Sequence, residues 1–274
     1  VLDQNLLPMY GDESYYHDVK TDGNLPREEF YKKYLENWLD ASGADYVMFD
    51  TYPIRYDGIE TFQLKGLKIA AEVCKERGAE LKVIMQTFAW LRNGKGVNRL
   101  CDISDLYWQT NMLMGYGCTE IVYYTYFTIA NGNEKTGGMY NIDGASFVNH
   151  YGEKTEIYYD MKKIMAEMQK FAKVILNFKY RASGTFKTLP LNDVAAYDYA
   201  ENDEFAKVKG VAVEQGDLVL VNELYDAEKG NYMYMVENIL DPIKGKSYDT
   251  SAAVEIEFDE SYEYVAIYYK DSVR

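Results

Sequence analysis

Six residues, each at or just beyond the end of a short apolar run, could act on a ligand: Asn5, Asp50, Tyr52, Gln86, Trp90 and Tyr126. Pro8, Tyr10, Phe88, Tyr124 and Thr128 stand beside them. The set combines two amides, one carboxylate and several aromatic rings. Amides and carboxylates exchange hydrogen bonds with hydroxyl groups, and aromatic faces stack on the apolar faces of sugar rings. Each residue alone could equally cap or pack a strand end. What gives the set meaning is its recurrence after successive strands, because side chains at the carboxyl ends of parallel strands share one rim.

Other chemistries are poorly supplied. The chain has two histidines, His17 in an early polar stretch and His150 just before Gly152, so a His-dependent triad or a multi-His metal site is not expected. No Gly-rich phosphate loop, HExxH or GxSxG is present, and no cofactor is expected. The three cysteines, Cys74, Cys101 and Cys118, show no CxxC spacing and read as small buried groups. A net charge of −15 disfavours phosphate backbones and anionic membrane surfaces as partners, and it is compatible with a neutral carbohydrate. No apolar stretch approaches the roughly 18 residues of a membrane span. No targeting segment is visible, and the compartment stays open. Tyrosine, with 28 copies, is the compositional outlier; its flat face and polar tip suit both half-buried strands and ligand surfaces.

The elements that would position these residues alternate. Apolar runs at Leu2 to Met9, Tyr46 to Phe49, Leu81 to Trp90 and Ile121 to Phe127 read as strands. Between them, Glu28 to Ser42, Glu60 to Arg77 and Ser104 to Tyr116 carry helical spacing, the first two closed by Gly43 and Gly78. A Gly- and Asn-rich loop spans 130–144, and Glu156 to Leu176 is a last long helix. Strands alternating with helices of this length imply parallel βαβ units, and four of them make half of a (β/α)8 barrel or a small open sheet. The pattern changes near residue 179. Beyond it, strands are expected at 193–197, 208–214, 218–224, 232–238, 253–258 and 264–269, with a turn at Lys229-Gly230, as in an antiparallel sandwich. The boundary falls within 177–188.

Several segments together resemble glycoside hydrolase family 42, the β-galactosidase type of clan A. DQNLLPMY resembles the family's fifth barrel strand, and DYVMFDTYP its sixth, with Asp50, Tyr52 and Pro53 in a matching Asp-x-Tyr-Pro turn. LKVIMQTFAW stands where the seventh strand is expected, and WQTNMLMGYGCTEIVYYTYF resembles the approach to the eighth, with Tyr126 in the place of an aromatic that lines the sugar site. VNHYGEKTEIYYDMKKIMAEMQKF is similar to the final turn and helix. The likeness covers residues 1–176. It implies an α/β fold: the second half of a TIM-type (β/α)8 barrel, strands 5 to 8, in residues 1–178, followed by a small antiparallel β-sandwich domain in 179–274.

Two departures accompany the resemblance. The family's acid/base Glu ends its fourth strand, so it is expected upstream of Val1. Its nucleophile is a Glu on the seventh strand, where this chain has Gln86, and no Glu or Asp lies between Lys82 and Asn93. Retaining hydrolysis needs two carboxyls about 5–5.5 Å apart, and an amide cannot form the glycosyl intermediate. The expectation is therefore a carbohydrate-active protein in which this chain supplies sugar contacts and has no hydrolase activity by itself. The alternative is a non-catalytic glycan-binding or scaffolding protein that has lost the carboxylate pair. An unrelated α/β enzyme would require a phosphate or cofactor loop after the first strand, and the stretch from Gly11 to Gly23 is acidic instead. Half a barrel leaves open edges, so a missing N-terminal half-barrel or self-association is expected to cover them.

Overall fold

The computed structural model describes residues 26–56, 58–60, 63–92, 95–128, 146–188, 202–214, 218–239, 252–261, 265–269 and 272–273, with side chains except at 90–92, 95–97, 268–269 and 272–273. The expected strand at Leu2 to Met9, and Asn5 with it, lies outside the described residues, as does 193–197.

The first helix, α1 (Arg27–Ser42), buries Phe30, Tyr31, Leu35 and Leu39, a stripe at helical spacing. Glu28 and Glu29 sit in its first turn, where the helix dipole favours negative charge. Gly43 closes it at φ 65°, donating its N–H to the Leu39 carbonyl at 3.0 Å. Then come β1 (Tyr46–Thr51), two short strands β2 (Ile54–Arg55) and β3 (Gly58–Ile59), and α2 (Gln63–Arg77). The strand β4 (Glu80–Gln86) is followed by a second pair, β5 (Trp90–Arg92) and β6 (Lys95–Asn98). Next are α3 (Ile103–Gly115), β7 (Cys118–Tyr124) and α4 (Glu156–Ile175). Asp102 starts α3 with a reciprocal cap: its carboxylate accepts from the Ser104 and Asp105 N–H groups, and the Asp105 carboxylate accepts from the Asp102 N–H.

β1, β4 and β7 form a parallel sheet in chain order, with Asp50 opposite Ile84 and Ile84 opposite Val122. Period-two alternation divides their side chains. Val47, Phe49, Val83, Met85 and Tyr123 join one core with Leu35, Leu67, Leu106 and Met161 from the four helices. Met48, Asp50, Ile84, Gln86, Val122 and Tyr124 therefore face the other side. Helices packed on one face of a sequentially ordered parallel sheet make a mixed α/β unit. Beyond the strand ends, β3, β2, β6 and β5 form an antiparallel four-stranded sheet. This corrects one expectation: the run from Leu81 to Trp90 is not one strand. β4 stops at Gln86, and Trp90 opens an antiparallel pair opposite Asn98.

The later part is antiparallel. β8 (Lys179–Lys187) and β11 (Asn231–Asn238) flank β10 (Leu218–Asp226), and β9 (Val208–Val213) pairs with β12 (Val254–Phe258). A two-residue pair, β13 (Tyr268–Tyr269) with β14 (Ser272–Val273), ends the chain. The stretch 177–188, read in the sequence as a boundary, is mostly strand β8; its Lys, Arg, Ser and Gly residues hide the alternation. β10 is buried along nearly its whole length. Leu218 and Leu220 enter the same core as the helices, at about 1.5–3 kcal/mol for each buried side chain. On its other face, Glu223 is fully buried, accepting from Arg181 Nε at 2.5 Å, the Ala206 N–H at 2.9 Å and Tyr234 Oη at 2.6 Å. The antiparallel sheet is thus fastened to α2 and α3 by a shared core. A polar seam reinforces it: Lys68 on α2 pairs with Asp203 at 2.6 Å, and Asp203 accepts the Ser183 N–H of β8 at 2.8 Å.

Candidate functional site

The carboxyl ends of β1, β4 and β7 bring three rings together. Tyr52 meets Phe88 edge-on at 4.9 Å, Phe88 meets Tyr124 edge-on at 5.4 Å, and Tyr52 lies 5.9 Å from Tyr124. The strands hold this triangle because the Thr87 N–H donates to the Tyr124 carbonyl at 2.9 Å, continuing the β4–β7 ladder past its last residue. Phe88 is 1% exposed, whereas Tyr52 and Tyr124 are half-buried. Two hydroxyl-bearing rings therefore lean on a buried hydrophobic base. Asp50 stands two residues before Tyr52 on the same face of the sheet and is half-buried. A carboxylate on the same sheet face as two partly exposed tyrosines can hold hydroxyl groups while the rings take the apolar face of a ligand.

Gln86 has another task. It is fully buried, and both ends of its amide are engaged within the protein. Its Oε1 accepts from the Ile54 N–H at 3.0 Å and from Asn98 Nδ2 at 3.2 Å. Its Nε2 donates to the carbonyls of Ile54 and Phe88, both at 3.1 Å, and of Arg99 at 3.3 Å. Gln109 completes the bracket, accepting the Gln86 N–H and donating to the Gln86 carbonyl, each at 3.2 Å. An amide is the group that can serve both N–H and C=O partners at once, so Gln86 pins the two short antiparallel pairs onto the end of the parallel sheet. This replaces the expectation that it meets a ligand hydroxyl.

Tyr126 is about half exposed but belongs to a second aromatic group. Its ring meets Phe127 at 4.8 Å and Phe147 at 6.0 Å, and Phe147 packs on Tyr123 of the helix-facing side. Tyr52, Phe88 and Tyr124 therefore form one cluster, and Tyr126 forms another around Phe147. Trp90 has its backbone in β5, with its side chain outside the described residues, as Asn5 is altogether.

An ion pair behind the Gln86 bracket was not legible in the sequence. Arg99 forms a two-pronged ion pair with Asp105, Nη2 to Oδ1 at 2.6 Å, with the Asp105 side chain fully buried. Burial pushes the Asp105 carboxyl up, against the pull of Arg99. The cap spacing Asp102-x-x-Asp105 was a readable signal for the start of α3; the pairing across to Arg99 was not. A cavity of about 190 Å³ lies elsewhere, between β7, α3 and α4, lined by Met114, Ile121, Tyr123, Met165 and Met168. It is apolar, lies against the helices and does not include Asp50.

No family model matches the sequence, and no curated protein matches it. Among solved structures, the chain is similar to an endo-beta-1,4-mannanase from Thermotoga petrophila, at 11% identity and a TM-score of 0.27, over 74% of this chain and 48% of that one. The chain spans about half the length of that enzyme. A likeness at that score assigns neither function nor site residues.

Proposed function

We propose that the protein is carbohydrate-active and binds a neutral sugar at the carboxyl ends of the parallel strands, with Asp50 holding hydroxyl groups and Tyr52 and Tyr124 presenting ring faces. The observation that carries this reading is the Tyr52–Phe88–Tyr124 triangle at the strand ends, with half-buried Asp50 two residues before Tyr52 on the sheet face away from the helices. The acidic balance of the chain supports a neutral ligand over an anionic one. The finer reading is a β-galactosidase-type hydrolase, in which this chain would contribute sugar contacts and an upstream segment the acid/base Glu. Isothermal titration with neutral β-galacto-oligosaccharides tests the binding claim. Asp50→Ala should weaken binding about 10- to 150-fold, the loss of one to two hydrogen bonds to a charged group at about 1.5–3 kcal/mol. Equal affinity in wild type and Asp50→Ala would reject the site.

A second reading, non-catalytic glycan binding, is favoured by Gln86. The residue that the resemblance aligns with a nucleophile is an amide fully occupied inside the protein. Turnover of an aryl β-galactoside by this chain, abolished by Asp50→Ala, would reject that reading and leave the binding site in place.

A further inference from the structure

The outer edge of β7 is open. Among the described residues, β7 pairs with β4 alone. The Tyr124 carbonyl accepts from the Thr87 N–H at 2.9 Å, so the Tyr124 backbone points to the β4 side. Backbone groups alternate between the two edges of a strand, so the N–H and C=O of Ile121 and Tyr123 point the other way, where no described strand lies. None of the β7 residues is buried, whereas β1 and β4 bury most of theirs. Parallel strands are ordinarily covered on both faces. Open edges are ordinarily guarded by Lys or Pro, and β7, with the sequence CTEIVYY, has neither. Its single charge, Glu120, is held by Lys82 at 3.0 Å. On the helix side, Ile121 and Tyr123 form one wall of the apolar cavity of about 190 Å³, and Met165, Gln169, Ala172 and Leu176 of α4 form another. These four recur at helical spacing as one stripe, with Met165 39% and Leu176 53% exposed. Lys162 stands one turn before Met165, and Lys173 one turn from both Gln169 and Leu176; both are exposed.

We propose that the β7 edge and the groove beside it take an extended strand of a partner protein, apolar along one face and acidic at its ends. The strand pairs with the backbone of Ile121 and Tyr123, and alternate side chains enter the groove against Met165 and Leu176. A cavity of about 150 Å³ holds a benzene ring, so this one has room for an apolar side chain of that size. Charge selects the partner. The chain as a whole carries −15, yet α4 between Met161 and Leu176 holds four lysines, Lys162, Lys163, Lys170 and Lys173, against one carboxylate. That carboxylate, Glu167, accepts from Tyr107 Oη at 2.7 Å. A second copy would bring the same lysines face to face, whereas carboxylates on a different chain would meet Lys162 and Lys173. Unbranched Met165 adapts its shape to what enters. The groove lies on the helix side of the sheet and Asp50 on the other, so this surface and the sugar site stand or fall separately.

Two labelled peptides added to the intact chain test this: a strand-length peptide alternating Val and Thr with Glu at both ends, and a twin with Lys at both ends. By fluorescence anisotropy the Glu peptide should bind about tenfold more tightly than its twin, from two exposed charge pairs. The paired change Lys162→Glu with Lys173→Glu should reverse that order, and Leu176→Asp should weaken both peptides about tenfold. Amide exchange by NMR should slow at Ile121 and Tyr123 when the Glu peptide is bound to wild-type protein. Equal binding of the twins, no binding of the Glu peptide, or unchanged exchange at Ile121 and Tyr123 would overturn the proposal. So would sedimentation of wild type as a dimer that Leu176→Asp dissociates, which would give the surface to a second copy. The exchange and twin-peptide measurements use wild-type protein, so they decide the matter even if a variant fails to fold.

Discussion

Gln86→Glu changes one atom type at the end of β4, and the structure gives it a defined cost. The amide now donates to three backbone carbonyls, those of Ile54, Phe88 and Arg99, and accepts from the Ile54 N–H and Asn98. A carboxylate would keep the accepted bonds and turn a negative oxygen toward three carbonyl oxygens. The buried side chain would escape by staying protonated. Holding a glutamic acid neutral at pH 7, from an ordinary value of about 4.3, takes about 3.7 kcal/mol at 1.36 kcal/mol per unit. One hydroxyl then serves three carbonyls, so the total is about 4–5 kcal/mol once a lost hydrogen bond is included. For a chain of this size that is a drop in Tm of about 8–20 °C, at 2–4 °C per kcal/mol. Urea unfolding followed by tyrosine and tryptophan fluorescence measures it directly. The deficit should shrink at pH 5, where holding the carboxyl neutral takes only about 1 kcal/mol. A variant within 1 kcal/mol of wild type at pH 7, or one that gains turnover of an aryl β-galactoside, would refute the view of Gln86 as an internal bracket.

Three other outcomes follow from buried contacts. Arg99→Met leaves the Asp105 carboxyl buried without its partner and should cost about 3–5 kcal/mol in urea unfolding, whereas Arg99→Met with Asp105→Leu should recover much of that loss. Gly117 has φ 77°, and a Cβ there would meet the Tyr180 Cβ at 3.0 Å, so Gly117→Ala should lose at least about 1–2 kcal/mol from backbone strain alone; a loss under 0.5 kcal/mol would contradict the close approach of β7 to β8. Burial pushes the Cys74 thiol up to about 12 and raises Cys101 as well. Iodoacetamide at pH 8 should leave both unmodified in the folded protein and label them in urea, by mass spectrometry.

Much of the first part was legible because its helices obey strong local rules. Glycines at 43 and 78 end α1 and α2, and Ile157, Met161 and Ile164 mark the buried stripe of α4. The β10–β11 hairpin was legible from alternation and from Gly230, which takes φ 69° in its turn. The strand-end aromatics could be found because parallel strands deliver their carboxyl ends to one rim. What stayed hidden depended on distant partners. The grouping of Tyr52 with Phe88 and Tyr124, and of Tyr126 with Phe147, follows from the sides on which the chain leaves β4 and β7, which periodicity does not encode. Gln86 looked like a free strand-end amide because its partners, Ile54 and Asn98, are 32 and 12 residues away. β8 escaped notice because a strand that covers helices can carry Lys, Arg, Ser and Thr at every other position.

The most direct test of the sugar site is to follow the tyrosine ring signals by NMR while a neutral β-galacto-oligosaccharide is added. The account predicts saturable shifts for Tyr52 and Tyr124, with Tyr159 unmoved. Shifts confined to Tyr126 and its neighbours, or no saturable shift at all, would contradict it.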